Sequence, residues 1–132
     1  MAAYEKILIV EDNDLNLRIA EQVLKSEGYE VIRATSGMEC LLLLQKATVD
    51  LILLDIQMPV MSGFDTINYL KKDARWYDIP VIFLTASSDT NTVCQAMKLG
   101  AVDYIKKPLG REDMLNRIRK ALDHKKHPSG GM

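Results

Sequence analysis

Five polar residues of the sequence have side chains suited to chemistry, and each stands at the end of an apolar stretch. They supply three carboxylates, one hydroxyl and one ammonium: Glu11, Asp12, Asp55, Thr85 and Lys107. Crowded carboxylates raise one another's pKa unless a cation lies among them. Mg²⁺ accepts one or two carboxylates and keeps waters and phosphate oxygens as its other ligands. These residue types therefore indicate a site for a divalent cation and a phosphoryl group.

Asp55 is the candidate nucleophile of such a site. It follows the four aliphatic residues 51–54, which predict a strand buried on both faces. An ionised aspartate can attack phosphorus, and catalysis then consists largely of neutralising the three equatorial oxygens of the transferred group. The metal would take one oxygen, the Thr85 hydroxyl another and the Lys107 ammonium the third. Taken alone, Asp55 is explained equally well as a turn or helix-capping residue.

The segments that must position these residues alternate between strand and helix patterns. Apolar runs predict strands at 6–10, 30–34, 51–54, 81–84 and 101–105, with 30–34 at an edge. Right-handed crossovers then favour an α/β fold: a flavodoxin-like, doubly wound parallel sheet of five strands in the order 2-1-3-4-5, with five helices. In that order the carboxyl ends of the first, third, fourth and fifth strands meet at one edge, where open α/β sheets bind ligands.

The spacing of apolar residues predicts which helix faces lie against the sheet. The inward residues expected for the first, second and fourth helices are Leu15, Ile19, Val23 and Leu24; Cys40, Leu41 and Leu44; and Val93, Ala96 and Met97. Ser36 is the expected N-cap of the second helix, which should end near Lys46 with Leu42 off its stripe. Cys40 and Cys94 are both expected to be buried thiols.

Length and composition favour one domain in a reducing compartment, since the chain has 132 residues, two cysteines and a net charge of -1. This charge gives no general attraction to nucleic acid or to an anionic membrane. We expect no signal peptide and no membrane span, and therefore a cytoplasmic protein without direct contact to nucleic acid or membrane. The domain is expected to cover 1–123, with a polar tail or the start of a linker at 124–132.

From about residue 6 to residue 122 the sequence resembles the receiver domain of two-component response regulators. The order and spacing of four groups of residues carry the resemblance: Glu11-Asp12-Asn13, Asp55 with Met58-Pro59 and Ser62-Gly63, Thr85-Ala86, and Lys107-Pro108. The resemblance implies that Asp55 is a phosphoacceptor. It would take a phosphoryl group from a histidine kinase or from a histidine phosphotransfer protein.

The same resemblance implies a Mg²⁺ cofactor. Asp12, Asp55 and the backbone carbonyl of Gln57 would be direct ligands, and Glu11 would act through a metal-bound water. The domain would then be a signalling phosphoacceptor rather than an enzyme, with intrinsic autophosphorylation from small phosphodonors and intrinsic autodephosphorylation.

A conformational switch is also implied by the resemblance. Thr85 would move toward the phosphoryl group, and Tyr104 would rotate inward behind it. The surface of the fourth helix, fifth strand and fifth helix would then act on a downstream protein or on a covalently attached output domain. The resemblance also allows the domain to form a homodimer when it is phosphorylated. Gln57 and Ser87 would tune how fast water removes the phosphoryl group.

Three other interpretations compete with this one. A haloacid-dehalogenase-type phosphatase also uses a strand-end aspartate, but it needs a second acid two residues later, where this chain has Gln57. A flavodoxin-like electron carrier needs a hydroxyl- and glycine-rich phosphate loop after the first strand, where the acids of 11–14 would repel a flavin phosphate. The last alternative is a binding-only pseudo-receiver that is not regulated by phosphorylation, and the complete set of site residues argues against it.

Overall fold

Five parallel strands form one sheet in the part of the chain that the structure describes. The computed structural model describes residues 5–87 and 89–126, the last three of them by backbone alone. The strands are β1 (Lys6–Val10), β2 (Glu30–Ala34), β3 (Leu51–Asp55), β4 (Val81–Thr85) and β5 (Asp103–Lys106). They lie in the order β2-β1-β3-β4-β5, and each neighbouring pair is parallel. The predicted sheet topology is therefore confirmed, including the edge position of β2.

One helix follows each strand in the chain. The described residues form five helices: α1 (Asp14–Ser26), α2 (Gly37–Leu44), α3 (Gly63–Lys72), α4 (Thr90–Lys98) and α5 (Arg111–Lys126). Asn13, Ser36 and Ser62 each accept a hydrogen bond from a backbone N–H in the first turn of the helix that they precede. The Asp65 carboxylate accepts in return from the Ser62 N–H, which completes a capping box. Ser36 is thus the N-cap that the sequence predicted.

Side chains of the strands alternate between two cores, one on each face of the sheet. The strand residues of these cores include Leu8, Val10, Ile52, Leu54 and Phe83 on the side of α2, α3 and α4, and Ile7, Ile9, Leu51, Leu53 and Ile82 on the side of α1 and α5. Every residue of β3 and β4 is buried. Packing on both faces therefore fixes the carboxyl ends of the two central strands.

The face of α1 that packs on the sheet differs from the predicted one. Its buried residues are Leu17, Ala20 and Leu24, whereas Leu15 is 65% exposed and Ile19 is 37% exposed. Of the predicted stripe, Leu24 is buried and Val23 is half-buried against the same core. The prediction was wrong because Ala20 is small and contributes little apolar signal, while Leu15 and Ile19 contribute more and face outward.

The other helices agree with prediction more closely. In α2, Cys40 and Leu44 are buried and Leu42 is 58% exposed, as predicted, although the helix ends at Leu44 rather than near Lys46. In α4, Ala96 is buried but Met97 is 44% exposed. Cys94 is also exposed, so the prediction of two buried thiols holds for one of them.

The bounds of the last strand and the last helix differ slightly from the predicted ones. β5 begins at Asp103 rather than at Ala101. Helix α5 continues to Lys126, three residues into the segment 124–132 that was predicted as a tail, and 127–132 lie outside the described residues. Among the helices of the described part of the chain, none has the length and apolar character that a membrane span requires.

Candidate functional site

Backbone pairing places the predicted site residues along one edge of the sheet. Asp55 is the last residue of β3 and Thr85 is the last residue of β4. Glu11 follows β1 directly, and its N–H donates to the carbonyl oxygen of Ala34 at 3.0 Å. On the other side, the N–H of Lys107 donates to the carbonyl oxygen of Thr85 at 2.7 Å. The four strand ends that carry polar residues therefore meet.

Lys107 is the cation of this site. Its Nζ lies 2.9 Å from Glu11 Oε1 and 3.2 Å from Asp55 Oδ1. The side chain of Glu11 is fully buried, that of Asp55 is nearly so, and that of Lys107 is 17% exposed. Because the two acids are shielded from water, the ammonium is needed to compensate their charge. The peptide bond between Lys107 and Pro108 is cis.

Glu11 keeps one buried oxygen without a hydrogen bond. Its Oε2 accepts from the N–H of Asn13 at 3.1 Å. Among the described residues its Oε1 has no hydrogen-bond partner, and its close neighbour is the Lys107 ammonium in an ion pair at 2.9 Å. Buried carboxylate oxygens normally have such a partner. Oε1 can therefore accept from a further donor, and a metal-bound water is a donor of the right kind.

The three acids form a cluster whose donor set fits Mg²⁺. Glu11, Asp12 and Asp55 each offer one carboxylate oxygen, and these oxygens all lie within 4.8 Å of one another. Asp12 is exposed while the other two are buried, so the cluster is reached from solvent at Asp12. An all-oxygen set with an open side suits an ion that keeps several waters. The unbonded Oε1 of Glu11 is consistent with the same ion.

Burial alters the acidity of the site. Burial and the neighbouring Glu11 carboxylate together raise the pKa of Asp55 to about 7, against the opposing effect of the Lys107 ammonium. Burial alone would lower the pKa of Lys107, but Glu11 and Asp55 together raise it above its usual value. Lys107 therefore stays charged, whereas Asp55 needs a second cation to be fully ionised at neutral pH.

The loop after β3 is folded tightly against Asp55. The N–H of Gln57 donates to Asp55 Oδ1 at 3.3 Å, and the Gln57 side chain is exposed. The N–H of Gly63 donates to the Ile56 carbonyl oxygen at 2.8 Å. A Cβ at position 63 would lie 2.3 Å from the carbonyl oxygen of Asp55. Glycine is thus required at this position by the close approach of two backbone segments.

The Thr85 side chain points toward the loop that follows β4. Its Oγ1 accepts from the N–H of Ser87 at 3.0 Å and lies 3.4 Å from the Ser87 carbonyl oxygen. The Ser87 hydroxyl in turn accepts from the N–H of Asp89 at 3.0 Å. No hydrogen bond joins Thr85 to Asp55 within 5–87 and 89–126. The structure thus brings Thr85 to the edge of the site with its hydroxyl occupied elsewhere.

Tyr104 lies on β5 and is half-buried against the core on the α4 side. The guanidinium carbon of Arg117, on α5, lies 5.4 Å from the centre of its ring. Sequence reasoning did not find Arg117, since an arginine on an amphipathic helix is ordinary and its contact with β5 exists only in the folded protein.

Comparison with known proteins decides the family. The sequence profile described as the response regulator receiver domain matches residues 7–119. The chain belongs to the response regulator receiver domain family. The polar-differentiation response regulator DivK of Brucella ovis is 36% identical over 118 residues, which cover 89% of this chain and 96% of DivK.

Longer relatives also match this receiver domain. The relative named "Probable transcriptional regulator ycf27", from Porphyridium aerugineum, is 38% identical over 118 residues, which are 89% of this chain and 48% of ycf27. The chain thus spans about half the length of the ycf27 relatives that it matches.

Solved receiver structures share the fold. The receiver domain of the sensor histidine kinase PA1611 of Pseudomonas aeruginosa, with a magnesium ion coordinated in its active-site cleft, superposes with a TM-score of 0.84. It is 27% identical, and the match covers 92% of this chain and 99% of that domain. Receiver domains are signalling domains whose family binds Mg²⁺ at an acidic pocket, and this chain has an acidic cluster of Glu11, Asp12 and Asp55.

Proposed function

We propose that this receiver domain accepts a phosphoryl group on Asp55 from a histidine kinase or a histidine phosphotransfer protein. The observation that carries the proposal is the position of Lys107, whose Nζ lies 3.2 Å from Asp55 Oδ1 and 2.9 Å from Glu11 Oε1. A mobile ammonium beside a nearly buried carboxylate is well placed to bind an oxygen of a group transferred to that carboxylate.

In the proposed transfer, a carboxylate oxygen of Asp55 attacks the phosphorus of the donor phosphohistidine. The new P–O bond forms as the P–N bond breaks, and the imidazole nitrogen keeps the electron pair of that bond and takes a proton from solvent. Lys107 binds one equatorial oxygen of the phosphoryl group, and Thr85 binds a second once its hydroxyl leaves Ser87. Mg²⁺, when bound, neutralises the negative charge of the phosphoryl oxygens and keeps Asp55 ionised.

The residues that would hold Mg²⁺ are those of the acidic cluster and of the loop after β3. Asp12, Asp55 and the backbone carbonyl of Gln57 are the proposed direct ligands. Glu11 is proposed to act through a metal-bound water, and its buried Oε1, which has no hydrogen bond, supports this role. The Gln57 side chain is exposed, and we propose that Gln57 and Ser87 tune autodephosphorylation.

The proposed output is a change of the surface formed by α4, β5 and α5. Thr85 exchanges its hydrogen bonds with Ser87 for one with the phosphoryl group, and Tyr104 rotates inward into the space behind it. Phosphorylation in this account shifts an existing equilibrium between two conformations.

The proposed donor and output partners are those of a two-component pathway in the cytoplasm. The changed surface acts on a downstream protein or on an attached output domain, and a phosphorylation-dependent homodimer is one form that the output can take. The match to nearly the whole of DivK and to about half of ycf27 supports both arrangements of receiver and output. The domain itself contacts neither nucleic acid nor membrane. Small phosphodonors also phosphorylate it.

Transfer from phosphohistidine tests the proposed function. Histidine kinases and phosphotransfer domains of the same organism are labelled with radioactive phosphate and mixed with the protein in the presence of Mg²⁺. Label should move to the wild type from at least one donor and should not move to Asp55→Asn. If every donor keeps its label, the chain is a binding-only pseudo-receiver instead.

A further inference from the structure

Arg117 contacts two neighbouring residues of β5 that point to opposite faces of the sheet. Its Nη1 donates to Asp103 Oδ1 at 2.6 Å, and its guanidinium carbon lies 5.4 Å from the centre of the Tyr104 ring. Successive strand residues alternate in direction, and β5 is at the edge of the sheet. The arginine of α5 therefore reaches around that edge to touch both.

The guanidinium is held in this position by two carboxylates. Besides Asp103, it binds Asp113 one turn earlier on α5, because Arg117 Nε donates to Asp113 Oδ1 at 2.9 Å. Asp103 Oδ1 also accepts from the backbone N–H of Tyr104 at 2.8 Å. The Asp103 carboxylate thus bridges the Arg117 guanidinium and the backbone N–H of Tyr104. The same guanidinium covers the Tyr104 ring.

We propose that Arg117 is a positioning residue of the conformational switch, which holds the Tyr104 ring in its present half-buried position. A cation over the face of a tyrosine ring attracts it, and inward rotation of the ring would take it away from the guanidinium. Arg117 therefore disfavours the inward conformation and keeps the unphosphorylated domain in its resting state. This inference rests on the proposed function, in which Tyr104 rotates on phosphorylation.

The size of the effect follows from the kind of contact. Cation–π contacts at partly exposed sites are modest, so removal of Arg117 should raise the population of the inward conformation by about two- to fivefold. A domain that visits its active conformation more often should take up phosphoryl groups faster by the same factor. A purely structural arginine would change stability without either effect.

The ring itself provides the first measurement. Full-length protein labelled with 3-fluorotyrosine gives one fluorine resonance for each tyrosine, and Tyr104→Phe assigns the one of interest. Arg117→Gln and Asp103→Asn should both move the Tyr104 resonance of the unphosphorylated protein toward its position in the phosphorylated wild type. Arg119→Gln is the matched control, since Arg119 lies on the same helix and binds Glu27 instead. It should leave the resonance in place.

A double-mutant cycle provides the second measurement. Arg117→Gln should speed phosphorylation by acetyl phosphate about two- to fivefold in the wild-type background and have no effect in a Tyr104→Ala background. An unmoved Tyr104 resonance in Arg117→Gln, or an equal acceleration in both backgrounds, would overturn the proposal. If the wild type takes up no phosphoryl group at all, the proposed function fails. A Tyr104 resonance that moves in Arg117→Gln and Asp103→Asn but not in Arg119→Gln then still shows that Arg117 positions the ring.

Discussion

The backbone N–H of Lys107, one residue beyond β5, donates at 2.7 Å to the carbonyl oxygen of Thr85, the last residue of β4. This bond fixes the start of the lysine side chain beside the end of β4. From there the side chain extends past β4, and its Nζ reaches Asp55 at the end of β3 and Glu11 after β1. A single backbone contact thus directs the cation toward the acids at the ends of two neighbouring strands, β1 and β3.

Replacement of this lysine should separate metal binding from phosphorylation. In Lys107→Ala the carboxylates remain and the competing ammonium is gone, so calorimetric titration should still detect Mg²⁺ binding. Phosphorylation by acetyl phosphate should slow by about 100-fold, as when one electrostatic contact to a transition state is removed. Lys106→Ala removes the adjacent, exposed lysine and should change neither property. Wild-type rates in Lys107→Ala would show that the lysine does not bind the transferred group.

Stability without metal should depend on pH through Asp55. The pKa of Asp55 is raised to about 7 in the folded protein, against about 3.9 in an unfolded chain. The folded state therefore holds the proton more tightly, and the stability that this contributes is complete below about pH 4 and is lost as the pH rises through 7.

Urea unfolding in EDTA at pH 5 and pH 8 measures this contribution. The free energy of unfolding of the wild type, taken relative to Asp55→Asn, should be lower at pH 8 than at pH 5. Added Mg²⁺ should stabilise the wild type more at pH 8, because the ion and the proton compete for the same carboxylate. Parallel pH profiles for the two proteins would contradict the raised pKa.

A single methyl group should disturb the loop after β3. In Gly63→Ala the new Cβ would meet the Asp55 carbonyl oxygen at 2.3 Å, so the loop or the end of β3 must shift. We expect a loss of about 1–3 kcal/mol in the free energy of unfolding, typical of overpacking, together with weaker Mg²⁺ binding. Gly110→Ala is the control, since a Cβ there meets nothing within 4 Å. Equal stability of the two variants would show that the close approach tolerates a side chain.

The sheet could be predicted because its strands are buried on both faces. Such strands are apolar along their buried length, so 7–10, 51–54 and 81–84 stand out as unbroken apolar runs, and the polar residues that follow them are conspicuous. The alternation of strands and helices then leaves few topologies. That topology alone predicts that Glu11, Asp55 and Lys107 lie close together.

Features that depend on packing between distant residues could not be predicted. The inward face of α1 centres on Ala20, whose small side chain carries little apolar signal, while Leu15 is exposed. The pairing of the Thr85 hydroxyl with Ser87 depends on a loop conformation. Arg117 contacts Tyr104 only once α5 has packed beside β5, so neither the residue types nor their spacing in the sequence predicts that contact.

The central claim, that Asp55 carries the phosphoryl group, is tested most directly by intact-protein mass spectrometry. The wild type is incubated with acetyl phosphate and Mg²⁺ at neutral pH, and Asp55→Asn and a sample with excess EDTA are treated in parallel. The mass of the wild type should rise by one phosphoryl group, with no increase in either control. An unchanged mass of the wild type, or an equal increase in Asp55→Asn, would contradict the account.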